Sequence, residues 1–471
     1  MKDMNFTEKG ARVTGDLAWD GLHRPRIYYA MAAILSGLFL TVIDGTICNV
    51  ALPTIAHQLQ VSSSDSIWIV NAFQLVIIMT LLPGAAAGEL FGFRRMYLLG
   101  MVLFTAGSLC CALSGTFSTL VLSRMLQGVG AAMVMSVNGS LVRLIYPRRH
   151  LGKGVGLNAT VVALASVAGP ALSGLILSVA SWPWLFAVNI PLGILAFCLG
   201  YKFLPANPTR VEGRRYDVPS AVLNALAFGL FFGCFEAFSH EVSWRWIGCG
   251  LAVLSVVGVV FVRRQLRQAY PILPFDLLRI PVFSLSVLTS VLSFSSQMLA
   301  MVALPFMFHL TFGMNAAETG MLMMAWPLVI TVAGPLAGSL VNRIHPGLLG
   351  GVGLLTMSMG CFLLSDVDAS EGYGGLVARL MLCGFGFGLF QSPNNHLLLS
   401  SAPSYRSGGA SGMQSTARLT GQTLGAALVA LLFHGYGDNA PHVAMMLAGG
   451  FTLCGSIVST TRIRASGSHR V

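Results

Sequence analysis

The chain contains 471 residues, of which 55% are hydrophobic and only 10% are charged, and its formal net charge is +11. Soluble proteins carry about 25% charged residues, so this composition excludes an ordinary soluble fold and predicts a polytopic membrane protein. The basic residues lie in short segments between apolar runs and do not form one basic face, which argues against nucleic-acid binding.

Fourteen apolar segments are long enough to cross a bilayer as helices. In chain order they are 27–56, 66–90, 96–115, 117–141, 154–179, 184–204, 219–239, 244–263, 283–308, 319–341, 347–365, 374–398, 407–433 and 442–461. Short alternating strands separated by frequent turns, which are typical of a membrane β-barrel, do not occur in the sequence. The predicted fold class is therefore an all-α polytopic membrane protein with fourteen transmembrane helices.

The distribution of basic residues predicts the orientation of these spans. If the N-terminus is inside, 24 of the 28 Lys and Arg residues, Arg462 among them, lie in predicted cytoplasmic segments, and only Arg245 lies outside. No cleavable signal peptide precedes the first span. We therefore expect a multi-pass protein of the bacterial inner membrane with both termini in the cytoplasm.

Two longer polar connections, 206–219 and 263–281, flank the seventh and eighth spans and suggest how the chain is divided. The predicted parts are a cytoplasmic segment over 1–26, a six-helix bundle over 27–205, a linker with two extra transmembrane helices over 206–282, a second six-helix bundle over 283–462 and a cytoplasmic tail over 463–471. Transporters built of six-helix halves place the substrate site at the midplane between them.

The first span carries a single carboxylate, Asp44, about midway along its length. An ionised Asp at the centre of a membrane helix costs roughly 2.5–3.5 kcal/mol on insertion scales, so such residues usually face a polar cavity. One interpretation is a titratable group in a transport pathway. The alternative is an Asp that is held by a neighbouring helix or by Asn49 and has no part in function.

The segment around Asp44, VIDGTICNVALP (Val42–Pro53), resembles the first-helix signature of the fourteen-span drug:proton antiporters of the major facilitator superfamily. The family pattern is L-D-x-T-(I/V)-V-N-x-A-L-P, and it is matched by Asp44, Thr46, Asn49, Ala51, Leu52 and Pro53. The resemblance implies a multidrug efflux protein that works by alternating access, with Asp44 as a proton-coupling residue.

The loop after the second span, GELFGFRRMYLLG (Gly88–Gly100), resembles the superfamily loop signature G-x-L-A-D-R-x-G-R-(R/K) in degraded form, with Leu90 in place of the usual Arg. The resemblance implies a latch that holds one conformation through charge-assisted contacts. Its residues are Glu89, Gly92, Arg94 and Arg95. The alternative is ordinary loop charge on the cytoplasmic side.

The fourth span contains SRMLQGVGAAM (Ser123–Met133), which resembles the superfamily signature R-x-x-Q-G-x-G-A-A. A guanidinium cannot lose its proton, so Arg124 needs a partner within the span. The resemblance implies that Arg124 assists proton transfer or pairs with a cavity carboxylate. The alternative is a structural Arg that is satisfied by backbone carbonyls.

The fifth span is rich in small residues at helical spacing, which by themselves indicate a helix-packing face. Gly169, Pro170 and Gly174 resemble the G-P-x-x-G core that distinguishes exporters from importers in the superfamily. The next segment, SWPWLFAVNIPLG (Ser181–Gly193), resembles the S-W-R-W-x-F-x-(I/V)-N-(I/V)-P-x-G signature of the fourteen-span branch. Further likeness in the later helices extends the resemblance from about residue 27 to 433.

Several polar residues in the spans are candidates for the substrate cavity, or else form hydrogen bonds between helices. They are Asn49, Gln127, Gln297, Gln391, Asn394 and Asn395. Glu236, near the outer end of the seventh span, fits an interfacial position, and its part in function stays open.

The sequence lacks a phosphate-binding G-x-x-x-x-G-K-(S/T) loop, a nucleophile elbow and zinc-ligand spacing, and its nine cysteines lie in apolar segments. We therefore expect no enzymatic activity, no metal and no cofactor, with transport driven by the proton gradient. The expected partners are the lipid bilayer, protons and a small-molecule substrate, without nucleic acid, and we expect a monomer. The predicted function is proton-coupled export of small hydrophobic or cationic compounds; the alternative is a dedicated exporter of one metabolite or siderophore-like compound.

Overall fold

A computed structural model describes residues 21–147, 150–206, 216–239, 244–268, 273–341, 343–367, 372–403 and 407–467. Within these ranges every regular element is helical. The first eight α-helices are α1 (Arg26–Leu59), α2 (Ser63–Ser66), α3 (Trp68–Phe91), α4 (Phe93–Ala112), α5 (Phe117–Ile145), α6 (Leu151–Val179), α7 (Trp184–Ala187) and α8 (Asn189–Phe203).

The remaining helices follow in the same order. They are α9 (Val218–Ser239), α10 (Trp244–Arg267), α11 (Pro281–Phe312), α12 (Ala316–Met323), α13 (Ala325–Leu340), α14 (Pro346–Ser365), α15 (Tyr373–Ser401), α16 (Ser407–Tyr436) and α17 (Ala440–Gly467). Two short 3-10 helices, Phe275–Arg279 and Gly437–Asn439, precede α11 and α17.

Among the described residues, twelve helical segments are long and apolar enough to cross a membrane. One of them, Gly409–Ile463, comprises both α16 and α17, and α9 adds a shorter apolar helix over Val218–Cys234. The predicted all-α, multi-pass architecture is confirmed. The count of fourteen spans stays a prediction.

Glycines let the helices of each half approach closely. On α4 and α5, a Cβ built on Gly107 would lie 2.7 Å from the Cα of Gln127. On α14 and α15, a Cβ built on Gly353 would lie 2.7 Å from the carbonyl oxygen of Gly386. Packing between membrane helices depends on such close approach, because lipid provides no hydrophobic driving force for association. Each half therefore contains a pair of helices that glycine allows to pack at short distance.

A large apolar cluster joins the two halves at the end of the helices where α1 terminates, which we call the far end. It includes Val50 and Ile55 of α1, Phe306 of α11 and Phe433 of α16. The rings of Phe306 and Phe433 are 4.8 Å apart. Ser64 of α2 also donates a hydrogen bond to the Ala430 carbonyl of α16. The far end is therefore closed by direct contact between the first and second halves.

The α9–α10 hairpin packs against α3 of the first half and α16 of the second. An ion pair holds the start of α9 to the end of α10, since a carboxylate oxygen of Asp217 lies 2.8 Å from a guanidinium nitrogen of Arg264. Burial opposes ionisation of this carboxyl, but hydrogen bonds from Gln268, Ser220 and Arg264 outweigh that effect and lower its pKa below the ordinary value. This polar cluster fixes α10 against the start of α9.

Candidate functional site

Asp44 and Arg124 form an ion pair in the interior of the first half. Arg124 Nη1 on α5 donates to Asp44 Oδ2 on α1, and neither side chain is exposed. A buried charge needs a partner, because the loss of hydration costs several kcal/mol per ion. The two predicted proton-coupling residues are therefore in direct contact.

Two amides complete the hydrogen bonding of the Asp44 carboxylate. Gln127 Nε2 donates to Oδ1 at 2.8 Å, and Asn189 Nδ2 donates to the same oxygen at 2.7 Å. The ionised carboxyl can only accept hydrogen bonds, so three donors from α5 and α8 match its charged form. Protonation of Asp44 would place an O–H donor on a carboxyl group that now accepts hydrogen bonds from these three donors.

Arg124 has a second set of partners besides Asp44. Its Nε donates to the carbonyl oxygen of Ile69 at 3.1 Å, and its guanidinium carbon lies 4.0 Å from the ring centroid of Phe73. Phe186 provides a second ring at 5.5 Å. Nη2 has no hydrogen-bond partner among the described residues. The site therefore holds a permanent positive charge that aromatic faces and one carbonyl stabilise only in part.

Gln127 links the ion pair to a third helix. Its Oε1 accepts from Arg124 Nη1 at 2.6 Å, and its Nε2 also donates to Ser108 Oγ of α4 at 2.8 Å. The hydrogen-bond network therefore connects α1, α4, α5 and α8. Any change in the charge of Asp44 acts on all four helices at once.

Asn49, the other partner considered for Asp44, is not part of this network. It is buried, and its Oδ1 has no hydrogen-bond partner among the described residues. Both alternatives considered for Arg124 are present in the geometry, since it binds a carboxylate and a backbone carbonyl together.

The predicted export motif lies where α6 of the first half meets α12 of the second. A Cβ on Gly174 would lie 2.8 Å from the Ala316 carbonyl oxygen and 3.0 Å from the Ala317 Cα. A Cβ on Gly320 of α12 would meet the Pro170 carbonyl oxygen and would lie 3.0 Å from the Gly174 Cα. Gly169 faces Thr46 of α1, two residues beyond Asp44. The motif thus makes a backbone-to-backbone contact between the halves.

Of the predicted latch residues, Arg94 contacts another helix of the first half. Arg94 donates to the Tyr201 carbonyl of α8, and its guanidinium carbon lies 5.5 Å from the Tyr201 ring centroid. Gly92 adopts φ +104, which a side chain would disfavour, and so allows α3 to turn sharply into α4. Glu89 and Arg95 are exposed. Arg94 therefore links the start of α4 to α8.

The polar candidates of the second half divide into two groups. Asn394 is buried and joins helices, since its Nδ2 donates to Ser290 Oγ at 2.7 Å and its Oδ1 accepts from Arg462 at 2.6 Å. Gln297, Gln391 and Asn395 are partly exposed. The side chain of Glu236 lies outside the described residues.

Arg462, one of the charges in the predicted cytoplasmic segments, lies near the end of α17. This side chain is fully buried and also donates to Ser286 Oγ of α11 at 3.1 Å. The end of α17 packs against α14 and α11, which covers the guanidinium with protein. The cytoplasmic side of Arg462 stays a prediction, and the structure adds that its guanidinium is buried among helices of the second half.

Sequence reasoning did not single out Asn189, Ser108 or Phe73, although all three contact Arg124, Asp44 or Gln127. Asn189 had a signal, because it is the Asn of the SWPWLFAVNIPLG segment. Ser108 and Phe73 had none, since a Ser and a Phe in a membrane helix are ordinary residues for packing.

Comparison with known proteins identifies relatives along nearly the whole chain. The model of the Major Facilitator Superfamily matches residues 34–426 and, in a second match, residues 287–467. An uncharacterized transporter, YebQ, of Escherichia coli (strain K12) is 51% identical over 444 residues, which cover 94% of this chain and 97% of the relative.

Two more distant relatives have named substrates. The riboflavin transporter RibZ of Clostridioides difficile (strain 630) is 30% identical over 86% of this chain and 88% of its own length. The tetracenomycin C resistance and export protein of Streptomyces glaucescens is 28% identical over 87% of this chain and 76% of its own length.

Proposed function

The chain belongs to the Major Facilitator Superfamily, and from that membership we propose that it is a proton-coupled antiporter that exports small, partly hydrophobic compounds. It is a multi-pass membrane transporter, and its proposed place is the bacterial inner membrane with both termini in the cytoplasm. The proposal includes fourteen spans arranged as two six-helix bundles with an inserted hairpin, a monomeric state, and neither enzymatic activity nor a cofactor.

The observation that carries the proposal is the buried contact between Asp44 and Arg124. Because Arg124 keeps its charge, protonation of Asp44 would leave one positive charge where the structure now has a balanced pair. An unbalanced buried charge is costly, so proton binding would favour a rearrangement of the helices that the network joins. Proton binding and conformation are coupled in this way.

The closed far end indicates which step of the cycle the structure represents. With a cytoplasmic N-terminus, α1 ends on the outer side, so the contacts of α6 with α12 and of α2 with α16 close the outer side. In the proposed cycle a substrate enters from the cytoplasm while Asp44 is ionised. The halves then rock, a proton from outside neutralises Asp44, and the substrate leaves.

The energetics of one-proton exchange limit the possible substrates. One proton moving through about 100 mV releases roughly 2.3 kcal/mol, and one pH unit adds about 1.4 kcal/mol. Exchange of a neutral substrate for one proton therefore has about 3.7 kcal/mol available, enough for a gradient of several hundred-fold. A monovalent cation makes the exchange electroneutral, and only about tenfold per pH unit remains.

The two relatives with named substrates support different forms of the proposal. The tetracenomycin C relative supports export of a toxic compound. The riboflavin transporter favours the second candidate, a transporter dedicated to a single metabolite. A substrate panel in a strain that lacks its own efflux pumps separates them, because a multidrug exporter lowers the accumulation of several unrelated dyes and a dedicated one does not.

The test of coupling uses Asp44→Asn in reconstituted vesicles with an imposed pH difference. The amide keeps the size of the side chain and removes the titratable group. We expect wild-type protein to move a fluorescent dye against its gradient only when the pH difference is present, and we expect Asp44→Asn to lose that uphill movement. Undiminished uphill transport by the variant would overturn the proposed role of Asp44.

A further inference from the structure

The helix α16 carries a row of polar residues on one side. Ser415, Arg418 and Gln422 follow one another at spacings of three and four residues, so they lie along one face of the helix. All three side chains are partly exposed. In a membrane helix such a polar row marks a face that meets water or polar groups rather than lipid.

The neighbours of α16 show where this face points. On one flank, a Cβ on Gly421 would lie 2.6 Å from the Val291 carbonyl oxygen, so α11 of the second half is packed there. On another flank, a Cβ on Gly412 would lie 3.5 Å from Leu82 of α3, which belongs to the first half. By helical geometry the polar row lies between these two flanks.

The opposite side of α16 is covered by the hairpin and the linker that follows it. Met413 belongs to an apolar cluster with Phe261 of α10 and Leu273, and Gly409 lies against Pro274. Since the hairpin side is the peripheral one, the polar row faces the space between the two halves. This is the place where transporters of two halves bind their substrates.

Arg418 is the charged member of this row. Among the described residues it has no ion-pair or hydrogen-bond partner, whereas the Arg124 charge is balanced by Asp44 and that of Arg264 by Asp217. An arginine cannot become neutral, and an uncompensated charge within a membrane span is retained only where it has a use. Its planar group suits a carboxylate or phosphate, which it binds through two parallel hydrogen bonds.

We propose that Arg418 is the anion-binding group of the substrate site and that the transported compound is an organic acid, with a carboxylate, sulfonate or phosphate that contacts this guanidinium. The inference rests on the proposed export function and narrows its substrate class. Simple cations are then poor substrates, because they meet an unbalanced positive charge in the cavity.

The membrane potential favours the same class of substrate. When a monovalent anion leaves the cell and one proton enters, two elementary charges move in the favourable direction. At about 100 mV and one pH unit the exchange then has roughly 6 kcal/mol available. An acidic substrate therefore obtains the largest driving force that one proton can provide.

The test measures binding without any gradient, using two dyes that share one ring system. Fluorescein is an anion at neutral pH and rhodamine 123 is a cation. Fluorescence anisotropy with the purified full-length protein in lipid nanodiscs should show that wild type binds fluorescein more tightly than rhodamine 123. Arg418→Gln should weaken fluorescein binding by about tenfold or more, the order expected for loss of a charge-assisted contact. Arg418→Lys keeps the charge but not the two parallel hydrogen bonds, so it should restore part of the binding.

A matched control is Arg263→Gln, which removes one exposed positive charge from α10 and leaves α16 unchanged. It should leave fluorescein binding unchanged. Equal binding of both dyes by wild type, absence of fluorescein binding, or an equal effect of the two Gln variants would each overturn the assignment of Arg418.

The coupling experiment with Asp44→Asn is independent of this result. Anion binding that depends on Arg418, together with transport that ignores the pH difference, would refute the proton coupling alone. Proton-driven transport without a preference for the anionic dye would refute the assignment of Arg418 alone.

Discussion

Substitution of Gly174 by Ala should open the far end of the molecule. The added Cβ would lie 2.8 Å from the Ala316 carbonyl oxygen and 3.0 Å from the Ala317 Cα, both of which belong to backbone. Backbone cannot move aside as a flexible side chain can, and overpacking of this kind costs typically about 1–3 kcal/mol. The cost falls on the conformation in which α6 and α12 touch, so the equilibrium should shift away from it by about 5- to 150-fold.

The matched control is Gly156→Ala on the same helix, where a Cβ would meet nothing within 4 Å. Spin labels on Ser178 and Gly374, both exposed, report the distance between the halves at the far end. The labels require replacement of the exposed cysteines Cys110, Cys198, Cys249 and Cys454.

Pulsed electron resonance should show a larger population of long distances for Gly174→Ala than for wild type or Gly156→Ala. Helical circular dichroism and an unchanged elution profile identify a folded variant. If the folded Gly174→Ala protein gives the distance distribution of the control, the contact between α6 and α12 does not hold the far end closed.

Two further predictions concern stability. Arg124→Gln leaves Asp44 buried without its cation and should destabilise the protein by about 3–5 kcal/mol. A thermal melt in detergent should show this loss, and the added Asp44→Asn should recover part of it; a double variant no more stable than Arg124→Gln would contradict the ion-pair account. Asp217→Ala should speed amide hydrogen exchange at the start of α9. Because the pKa of Asp217 is lowered in the folded state, its contribution is complete above its ordinary pKa of about 4 and is lost as pH falls below that value. The exchange difference from wild type should therefore stay constant from about pH 8 to pH 5 and shrink in stronger acid; a difference that vanishes near neutral pH would contradict this.

The helical architecture could be predicted from the sequence because each span carries its own signal. About twenty apolar residues bounded by charge are sufficient to define a membrane helix. Asp44 and Arg124 were identifiable for the related reason that a charge within such a span is exceptional. Both residues could therefore be identified without knowledge of which helices are neighbours.

The partners of these charges depend on how the helices pack. Asn189 is 145 residues from Asp44 along the chain, and it donates to that carboxylate because α8 packs against α1. Arg462 resembled a terminal loop charge in the sequence, yet it is buried with Asn394 because α17 packs against α14 and α11. Sequence spacing within one helix contains no information about either contact.

The amino acids alone are enough to identify a helical membrane protein with charges inside its spans, because the cost of exposing polar groups to lipid acts on each segment separately. The packing of the helices, in contrast, is what pairs Asp44 with Arg124 and leaves Arg418 without a partner among the described residues. Whether a buried charge is compensated depends on the distance between side chains of different helices, and that distance is set by packing.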